Sequence, residues 1–324
     1  MPPLRLDPTS ASSPLTGLEP KPKAQRRRTL TTIEAPKRWV LGVSRPTSNG
    51  PSPLLALRGG ELLKKRDLVG LFERLDALAG PGVQLETAGL VDGHPIRWVR
   101  LAPLEAPPKL RVLITAGVHG KEAAGPAAAL QLLESLQADP LLRRDIEWTV
   151  VPVICPTGYL AGTRRNGKGI NLNRVCTKSP NAPAEIKIAR QVLDDGHYDL
   201  SIDLHASKSA GDRGFFAIHN GGEDLLALAM PAFLARHEVL DRSTELYERT
   251  SPGIFRSKNE GTFKDYLRQR GTERSYTVEA PALAPYEKQV EGLADFVRCV
   301  VAAASMDPPI PPRATPFIEV LPPG

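Results

Sequence analysis

The sequence of 324 residues predicts an α/β fold, a single domain with a central mixed, mostly parallel twisted sheet flanked by helices. Two observations carry this prediction. Runs of β-branched and apolar residues, such as 110–116, have the length and composition of buried strands. They alternate with stretches such as 184–194, whose apolar residues recur at helical spacing. Strands that alternate with helices build a mostly parallel sheet with both faces covered.

The first elements of this domain are a helix and a hairpin. Six leucines and a phenylalanine fall at helical spacing between 62 and 78, and the stripe ends at the turn signal Gly80-Pro81-Gly82. Strands at 83–87 and 94–101 flank Asp92-Gly93, a pair typical of a type I′ turn. The hairpin leads into the buried strand at 110–116.

The remaining elements follow from the same two periodicities. Glycine, proline and polar clusters separate them, including a long irregular connection over 156–183. The pattern predicts strands at 146–154, 198–204, 215–218 and 275–278, and helices at 122–136, 184–194, 223–236, 262–270 and 286–304.

The two ends of the chain have a different composition from the middle. Residues 1–52 are rich in Pro, Ser and Thr and hold nine basic and three acidic residues, which accounts for the whole formal net charge of +6. We therefore expect a disordered basic tail over 1–52, a catalytic domain over 53–305 and a proline-rich tail over 306–324. A basic cluster at 23–28 could touch nucleic acid, but a solvated tail explains it, and no nucleic-acid partner is expected.

Composition also limits the class of protein. Hydrophobic residues make up 41% of the chain and charged residues 24%, as in soluble globular proteins. No apolar run is long enough to span a bilayer and no signal peptide is evident, so we expect a cytoplasmic monomer or small homo-oligomer without a membrane partner. The three widely spaced cysteines predict buried, reduced thiols.

The central motif joins the strand at 110–116 to the helix that follows. His119 and Glu122 lie in this turn, at the carboxyl end of a strand, where ligands bind in open α/β sheets. An imidazole and a carboxylate three residues apart can hold one zinc ion. Taken alone, such a pair is more often a histidine that caps the turn and a solvated glutamate in the first helical turn.

Three further motifs support the metal-site interpretation. An apolar strand over 201–205 ends in His205, and a second one over 276–279 ends in Glu279. The irregular loop 162–174 carries Arg164, Asn173 and Arg174. Along the chain, the His-x-x-Glu pair comes first, followed by the cationic loop, the strand-end histidine and the strand-end glutamate. In this order and strand context the set resembles the zinc carboxypeptidase family over roughly residues 83–303, and most closely its bacterial murein peptide amidase branch.

The resemblance implies one zinc ion per chain, held by His119, Glu122 and His205, with an open position for water. Zinc lowers the pKa of such a water to about 7. Glu279, which is not needed as a ligand, is the expected general base and later the acid for the leaving amine. The expected partner is a peptide with a free C-terminal carboxylate.

The loop residues have complementary expected roles. Arg164 polarises the scissile carbonyl and holds the oxyanion. Asn173 and Arg174 bind the terminal carboxylate, because a guanidinium matches a carboxylate in a bidentate pair. In the murein amidase branch the bond that is cut joins γ-D-glutamate to diaminopimelate in cell-wall peptides. The expected activity is therefore zinc-dependent hydrolysis of a C-terminal amide bond in such a peptide.

The sequence departs from the family pattern at Asn171. Relatives usually have Asp there, and it orients the first histidine ligand through a hydrogen bond. An amide oxygen still accepts that bond but carries no charge. A substrate-side tyrosine cannot be assigned, since Tyr247, Tyr266 and Tyr286 all remain possible.

Two other functions stay open at this point. The related succinylglutamate desuccinylases and aspartoacylases share the zinc motif and act on N-acyl amino acids, although they usually carry a β-rich segment after the catalytic glutamate. A catalytically weak module that binds peptide C-termini through Asn173 and Arg174 is the second alternative, and zinc content would separate it from an enzyme.

Overall fold

The computed structural model describes residues 62–178, 180–208, 214–243, 247–257 and 260–306. The predicted tail over 1–52 lies outside these ranges, as does the tail over 306–324 except for its first residue. Within these ranges, no helix combines the length and apolarity that crossing a bilayer requires.

The described strands form one nine-stranded sheet in the order β1-β2-β4-β3-β5-β9-β6-β8-β7. The four central strands β4, β3, β5 and β9 run parallel, and antiparallel pairs flank them on both sides. This confirms the predicted fold class. The strands are β1 (Val83–Val91), β2 (His94–Leu101), β3 (Leu110–Ala116), β4 (Ile146–Val151), β5 (Leu200–Ser207), β6 (Phe216–His219), β7 (Tyr247–Ser251), β8 (Ile254–Ser257) and β9 (Arg274–Pro281).

Helices cover both faces of this sheet, as the buried, β-branched central strands require. Two 3-10 turns, Pro140–Arg143 and Leu172–Arg174, lie in the connections. The α-helices are α1 (Leu68–Asp76), α2 (Ala124–Ala138), α3 (Pro156–Ala161), α4 (Ala184–Asp195), α5 (Glu223–Leu234), α6 (Phe263–Gln269) and α7 (Tyr286–Met306).

Alternating side chains of β3 divide the core into two layers. Val112 and Ile114 lie in a cluster with the apolar residues of α1, α2, α5 and α7. Leu113 belongs to a second cluster with the apolar residues of α4 and α6. Because successive strand residues point to opposite faces, a continuous apolar run can fill both layers. All three cysteines are buried and unpaired, which confirms the prediction of reduced thiols.

The structure corrects several element boundaries. The Asp92-Gly93 turn has positive φ at both residues, 48° and 80°, as a type I′ turn requires. However, β1 continues to Val91, four residues beyond the prediction, through a bulge between Thr87 and Gly89. Helix α2 begins at Ala124 rather than Glu122. The hairpin of β7 and β8 was not predicted, because its strands are short and partly exposed.

Candidate metal and catalytic site

The turn after β3 presents His119 and Glu122 on a tightly packed backbone. Gly117 starts the turn in the left-handed region, at φ 64°. At Gly120 a Cβ atom would lie 1.8 Å from the carbonyl carbon of Gly158 in α3, so only glycine allows the two backbones to approach this closely. The Glu122 amide donates to the His119 carbonyl over 3.1 Å and closes the turn.

His205 and Glu279 are direct neighbours at the same sheet edge. They are paired in the parallel register of β5 and β9, near the carboxyl ends of both strands. Thr115, near the end of β3, pairs with Asp203 of β5, so this edge continues to the turn that carries His119. The sheet thus brings together residues that are up to 160 positions apart in the sequence, from 119 to 279.

His119, Glu122 and His205 form one buried group. Nδ1 of His119 lies 3.0 Å from Glu122 Oε1, and Nδ1 of His205 lies 2.8 Å from Glu122 Oε2. One potential ligand atom from each residue lies within 4.8 Å of the others. Both imidazoles therefore direct the same nitrogen towards the carboxylate between them.

The outward nitrogen of each histidine has an acceptor, which determines the tautomer. Nε2 of His119 is 3.0 Å from Asn171 Oδ1, and Nε2 of His205 is 2.8 Å from Asp203 Oδ2. Since amide and carboxylate oxygens only accept, each Nε2 must carry a proton and donate. Each Nδ1 faces a Glu122 oxygen, which also only accepts, so each Nδ1 either carries a proton of its own or shares a bound cation with the carboxylate. Two imidazole nitrogens and a carboxylate suit a divalent metal such as zinc.

The pKa values reflect this crowding of charge. Burial lowers the pKa of His119, since desolvation disfavours its charged form. Burial also opposes charge on His205, but the Asp203 and Glu122 carboxylates outweigh it and raise the pKa of His205 well above its usual value. Burial alone would raise the pKa of Glu122, yet its hydrogen bonds with the two histidines hold this pKa far below the usual range.

Glu279 is buried beside this group without being part of it. Burial raises its pKa to about 8, and the nearby Glu122 carboxylate adds to the shift while His205 opposes it. Oε2 of Glu279 has no hydrogen-bond partner among the described residues. A buried carboxyl with an unpaired oxygen and a raised pKa is suited to proton transfer.

The three predicted loop residues line the same cleft. Nη1 of Arg164 donates to Glu122 Oε1 over 3.2 Å, and 42% of this side chain remains exposed. Nη1 of Arg174 donates to the Asn173 carbonyl over 2.6 Å. Asn173 Oδ1 accepts from the Phe263 amide, while its Nδ2 lies 3.3 Å from His205 Nε2. Because Asn173 Nδ2 and His205 Nε2 both carry protons, we regard their approach as a packing contact and not as a hydrogen bond.

The cleft is open to solvent, and about 330 Å³ of space lies within it when that solvent is included. Five of the predicted site residues line it, whereas Glu122 and His205 lie behind His119 and are not among its lining residues. Its lining residues are His119, Arg164, Asn173, Arg174, Ile218, Tyr247, Ser257, Thr262, Lys264, Thr277 and Glu279.

The structure also separates the three candidate tyrosines. Tyr247 lines the cleft. Tyr266 donates its hydroxyl to Asp194, and Tyr286 donates its hydroxyl to the Leu63 carbonyl. Neither of the last two lines the cleft. Asp203 was missed altogether, although its position two residues before His205 on a strand places both on one face.

Residues 108–263 match the model of the succinylglutamate desuccinylase/aspartoacylase catalytic domain, just under half of the chain. The match includes the three residues of the candidate metal group and ends before Glu279. No curated protein sequence matches the chain significantly.

Several solved structures are similar. A proposed metallopeptidase from Shewanella denitrificans OS217 has a TM-score of 0.61 at 21% identity, over 76% of this chain and 92% of that one. A metallo-carboxypeptidase from Pseudomonas aeruginosa, in complex with (2-guanidinoethylmercapto)succinic acid, has a TM-score of 0.60 at 22% identity, over 73% of this chain and 68% of that one. A metallo-carboxypeptidase from Burkholderia cenocepacia has a TM-score of 0.57 at 19% identity, over 72% of this chain and 68% of that one.

At these identities the likeness establishes the fold, which is metallocarboxypeptidase-like. The chain therefore combines a metallocarboxypeptidase-like fold with a buried His-Glu-His group that is suited to a metal such as zinc. Its placement in the murein peptide amidase branch stays a prediction.

Proposed function

We propose that this protein is a zinc-dependent hydrolase that cuts the amide bond before a C-terminal residue with a free carboxylate. The observation that carries the proposal is the convergence of the buried His119, Glu122 and His205 group with Glu279 and two arginines on one cleft. When bound, a zinc ion supplies Lewis-acid polarisation and makes water a stronger acid. The proposed ligand atoms are the two Nδ1 nitrogens and the Glu122 carboxylate.

Glu279 is the proposed acid and base. Two observations support this role: Glu279 is paired with His205 in the strand register, and its Oε2 lacks a partner among the described residues. In this proposal it takes a proton from the attacking water and returns it to the leaving amine. Burial raises its pKa towards neutrality, which suits a group that must both accept and release a proton.

The arginines are the proposed substrate-binding groups. Arg174 forms a charge-assisted pair with the terminal carboxylate, with Asn173 beside it. Arg164 reaches the cleft from the loop beyond α3 and stabilises the oxygen of the scissile carbonyl as charge develops there. The succinic acid derivative in the Pseudomonas aeruginosa structure is a carboxylate ligand, which supports a substrate of this kind.

For the substrate we favour a peptide from the cell wall, in particular the bond between γ-D-glutamate and diaminopimelate. The support is the resemblance of the loop motif to the murein peptide amidases. An N-acyl amino acid deacylase is the second candidate, and the matching desuccinylase/aspartoacylase catalytic domain favours it. Both reactions hydrolyse an amide next to a carboxylate, so the same groups would serve either.

A mixed digest followed by mass spectrometry tests the proposal. The zinc-loaded protein is offered L-Ala-γ-D-Glu-diaminopimelate, N-succinyl-L-glutamate, N-acetyl-L-aspartate and peptides with varied C-terminal residues. We expect chelator-sensitive release of diaminopimelate. Release of succinate or acetate instead would establish the deacylase, and no cleavage with zinc bound would overturn the proposal. A chain that binds no zinc would favour the C-terminus-binding module.

A further inference from the structure

A buried asparagine that the proposed chemistry does not use fastens the loop beyond α3. Asn166 is only 5% exposed, although it belongs to the irregular connection between α3 and α4. Its Oδ1 accepts from the backbone amides of Lys168 and Ile170 over 3.1 and 2.8 Å. Its own backbone amide donates to the Ile170 carbonyl over 3.0 Å. Asn166 thereby closes residues 166–170 into one turn.

The other half of the Asn166 amide binds helix α4. Its Nδ2 donates to Glu185 Oε1 over 3.0 Å, and Glu185 itself is 3% exposed. This carboxylate lies in the first turn of α4, where the helix dipole favours a negative charge. Ile186 and Ala189 of the same helix are buried in the second core cluster. The turn at 166–170 is therefore attached to a helix that is packed into the core.

The backbone on both sides of Arg164 is held by such contacts. On one side, the Thr163 carbonyl accepts over 2.9 Å from the amide of Lys121, in the turn after β3. On the other side, Asn166 follows two residues later. The Arg164 guanidinium itself has looser support, since it donates to Glu122 over 3.2 Å and its side chain is 42% exposed. Its position in the cleft therefore depends on the backbone that carries it.

The same turn places the outer partner of His119. Asn171 follows Ile170 directly, and both the amide and the carbonyl of Ile170 are bound to Asn166. Oδ1 of Asn171 lies 3.0 Å from Nε2 of His119. One buried asparagine thus supports a proposed catalytic cation two residues before it and the partner of a proposed metal ligand five residues after it.

We propose that Asn166, anchored by Glu185, is a positioning residue for the proposed active site. It holds Arg164 where charge develops on the scissile carbonyl and Asn171 against the ring of His119. The inference rests on the proposed role of Arg164. A misplacement of about 1 Å can reduce a rate by about 100-fold. Asparagine suits the role because one amide group supplies both an acceptor for the loop amides and a donor for the carboxylate.

Exchanging the donor and the acceptor tests the pair without shortening either side chain. Asn166→Asp sets two buried carboxylates against each other, and we expect it to lower kcat by about 100-fold. The double variant Asn166→Asp/Glu185→Gln again places a donor opposite an acceptor, in the reverse direction, and should recover at least about 10-fold of this loss. Asn181→Ala, at an exposed position before α4, is the control and should keep the wild-type kcat. A double variant no better than Asn166→Asp would overturn the proposal.

Kinetic constants separate positioning from a general loosening of the loop. Arg164 acts on the developing oxyanion, whereas Arg174 binds the substrate carboxylate. At saturating zinc, Asn166→Asp should therefore lower kcat while KM changes by less than about 3-fold. In an Arg164→Ala background the same substitution should cost less than about a further 3-fold, because the cation that it positions is gone. An equal loss of kcat in both backgrounds, or a loss confined to KM, would contradict the role.

Zinc affinity tests the link to His119 without any substrate. Chelator competition should show about 10-fold weaker zinc binding in Asn166→Asp and recovery in the double variant. Unchanged affinity in folded Asn166→Asp would overturn this link. If no substrate is hydrolysed, the proposed function fails, but the zinc measurement still decides whether Asn166 supports Asn171. Should Asn166→Asp not fold, Glu185→Leu removes only the anchor, and the same losses of kcat and zinc affinity are expected of it.

Discussion

Asp203 accepts a hydrogen bond from Nε2 of His205 over 2.8 Å, and its other oxygen accepts from the Thr115 hydroxyl over 2.7 Å. His119 instead donates to the neutral amide of Asn171 over 3.0 Å. The two histidines of the candidate metal group therefore have unequal outer partners. The Asp203 carboxylate makes the His205 imidazole more basic. It thereby compensates for the neutral amide of Asn171 beside His119.

Replacing Asp203 by Asn should weaken zinc binding. Loss of the charge makes His205 a poorer ligand, and removal of such outer partners typically costs about 10- to 100-fold in metal affinity. Asn171→Asp should act in the opposite direction. Competition with a chromophoric chelator measures both changes. Asp195→Asn, at an exposed ion pair with Arg100, is the control, and unchanged affinity in Asp203→Asn would contradict the assignment.

Glu279→Gln should separate metal binding from catalysis. The substitution keeps the shape of the side chain but removes its capacity to accept a proton. We expect stoichiometric zinc to remain, because Glu279 is not among the three proposed ligands, and kcat to fall by about 100- to 10,000-fold. Metal analysis and steady-state kinetics check both parts. Loss of zinc in this variant would instead assign Glu279 to the metal.

The Asp295 carboxylate should stabilise the fold in a pH-dependent manner. Burial alone would raise its pKa, but the hydrogen bond from His237 over 2.9 Å and the charge of Arg236 outweigh it and lower this pKa. A lowered pKa means that the stabilisation is present above the unfolded value of about 3.9 and is lost as the pH falls through the folded value. Asp295→Asn should therefore cost about 2 kcal/mol at pH 7.

Urea unfolding at several pH values measures this effect. The difference between the wild type and Asp295→Asn should shrink as the pH falls below about 4, because the unfolded chain then protonates Asp295 while the folded protein does so only at its lower folded pKa. Asp241→Asn removes an exposed partner of Arg249 and should change the unfolding free energy by less than about 1 kcal/mol. A difference at Asp295 that does not vary with pH would show that the charge is not responsible.

Gly120→Ala should disturb the turn that carries His119. Its Cβ would lie 1.8 Å from the Gly158 backbone, so α3 or the turn must move. We expect a loss of about 4 kcal/mol or more in unfolding free energy, or a clear loss of zinc affinity if the turn shifts instead. Gly167→Ala is the control, since its Cβ would meet Thr157 at an ordinary 3.6 Å. Wild-type stability and affinity in Gly120→Ala would contradict the close packing.

Much of the fold follows from the sequence because the central elements are strongly periodic. The runs at β3, β5 and β9 are apolar enough to predict buried strands, and each is followed by or ends near an ionisable residue of the candidate site. Since carboxyl ends of parallel strands lie at one edge, the convergence of His119, His205 and Glu279 could be anticipated.

Other features depend on tertiary contacts that local patterns do not encode. Tyr247–Ser251 forms a strand because it pairs with β8 at the sheet edge. Four of its five residues are polar, so its sequence shows no apolar alternation. The sequence does not single out Asp203, because an aspartate two residues before a strand-end histidine can also have a purely structural role. Only its distances to His205 and Thr115 connect it with the metal group.

The position of β9 has a consequence for synthesis of the chain. Among the described residues it is the last strand in the sequence, but it lies between β5 and β6 in the sheet. During translation, β5 therefore keeps an unpaired edge until residues 274–281 have left the ribosome. A chain that stops earlier already contains all three proposed metal ligands, yet it lacks Glu279 and exposes a strand edge to other nascent chains.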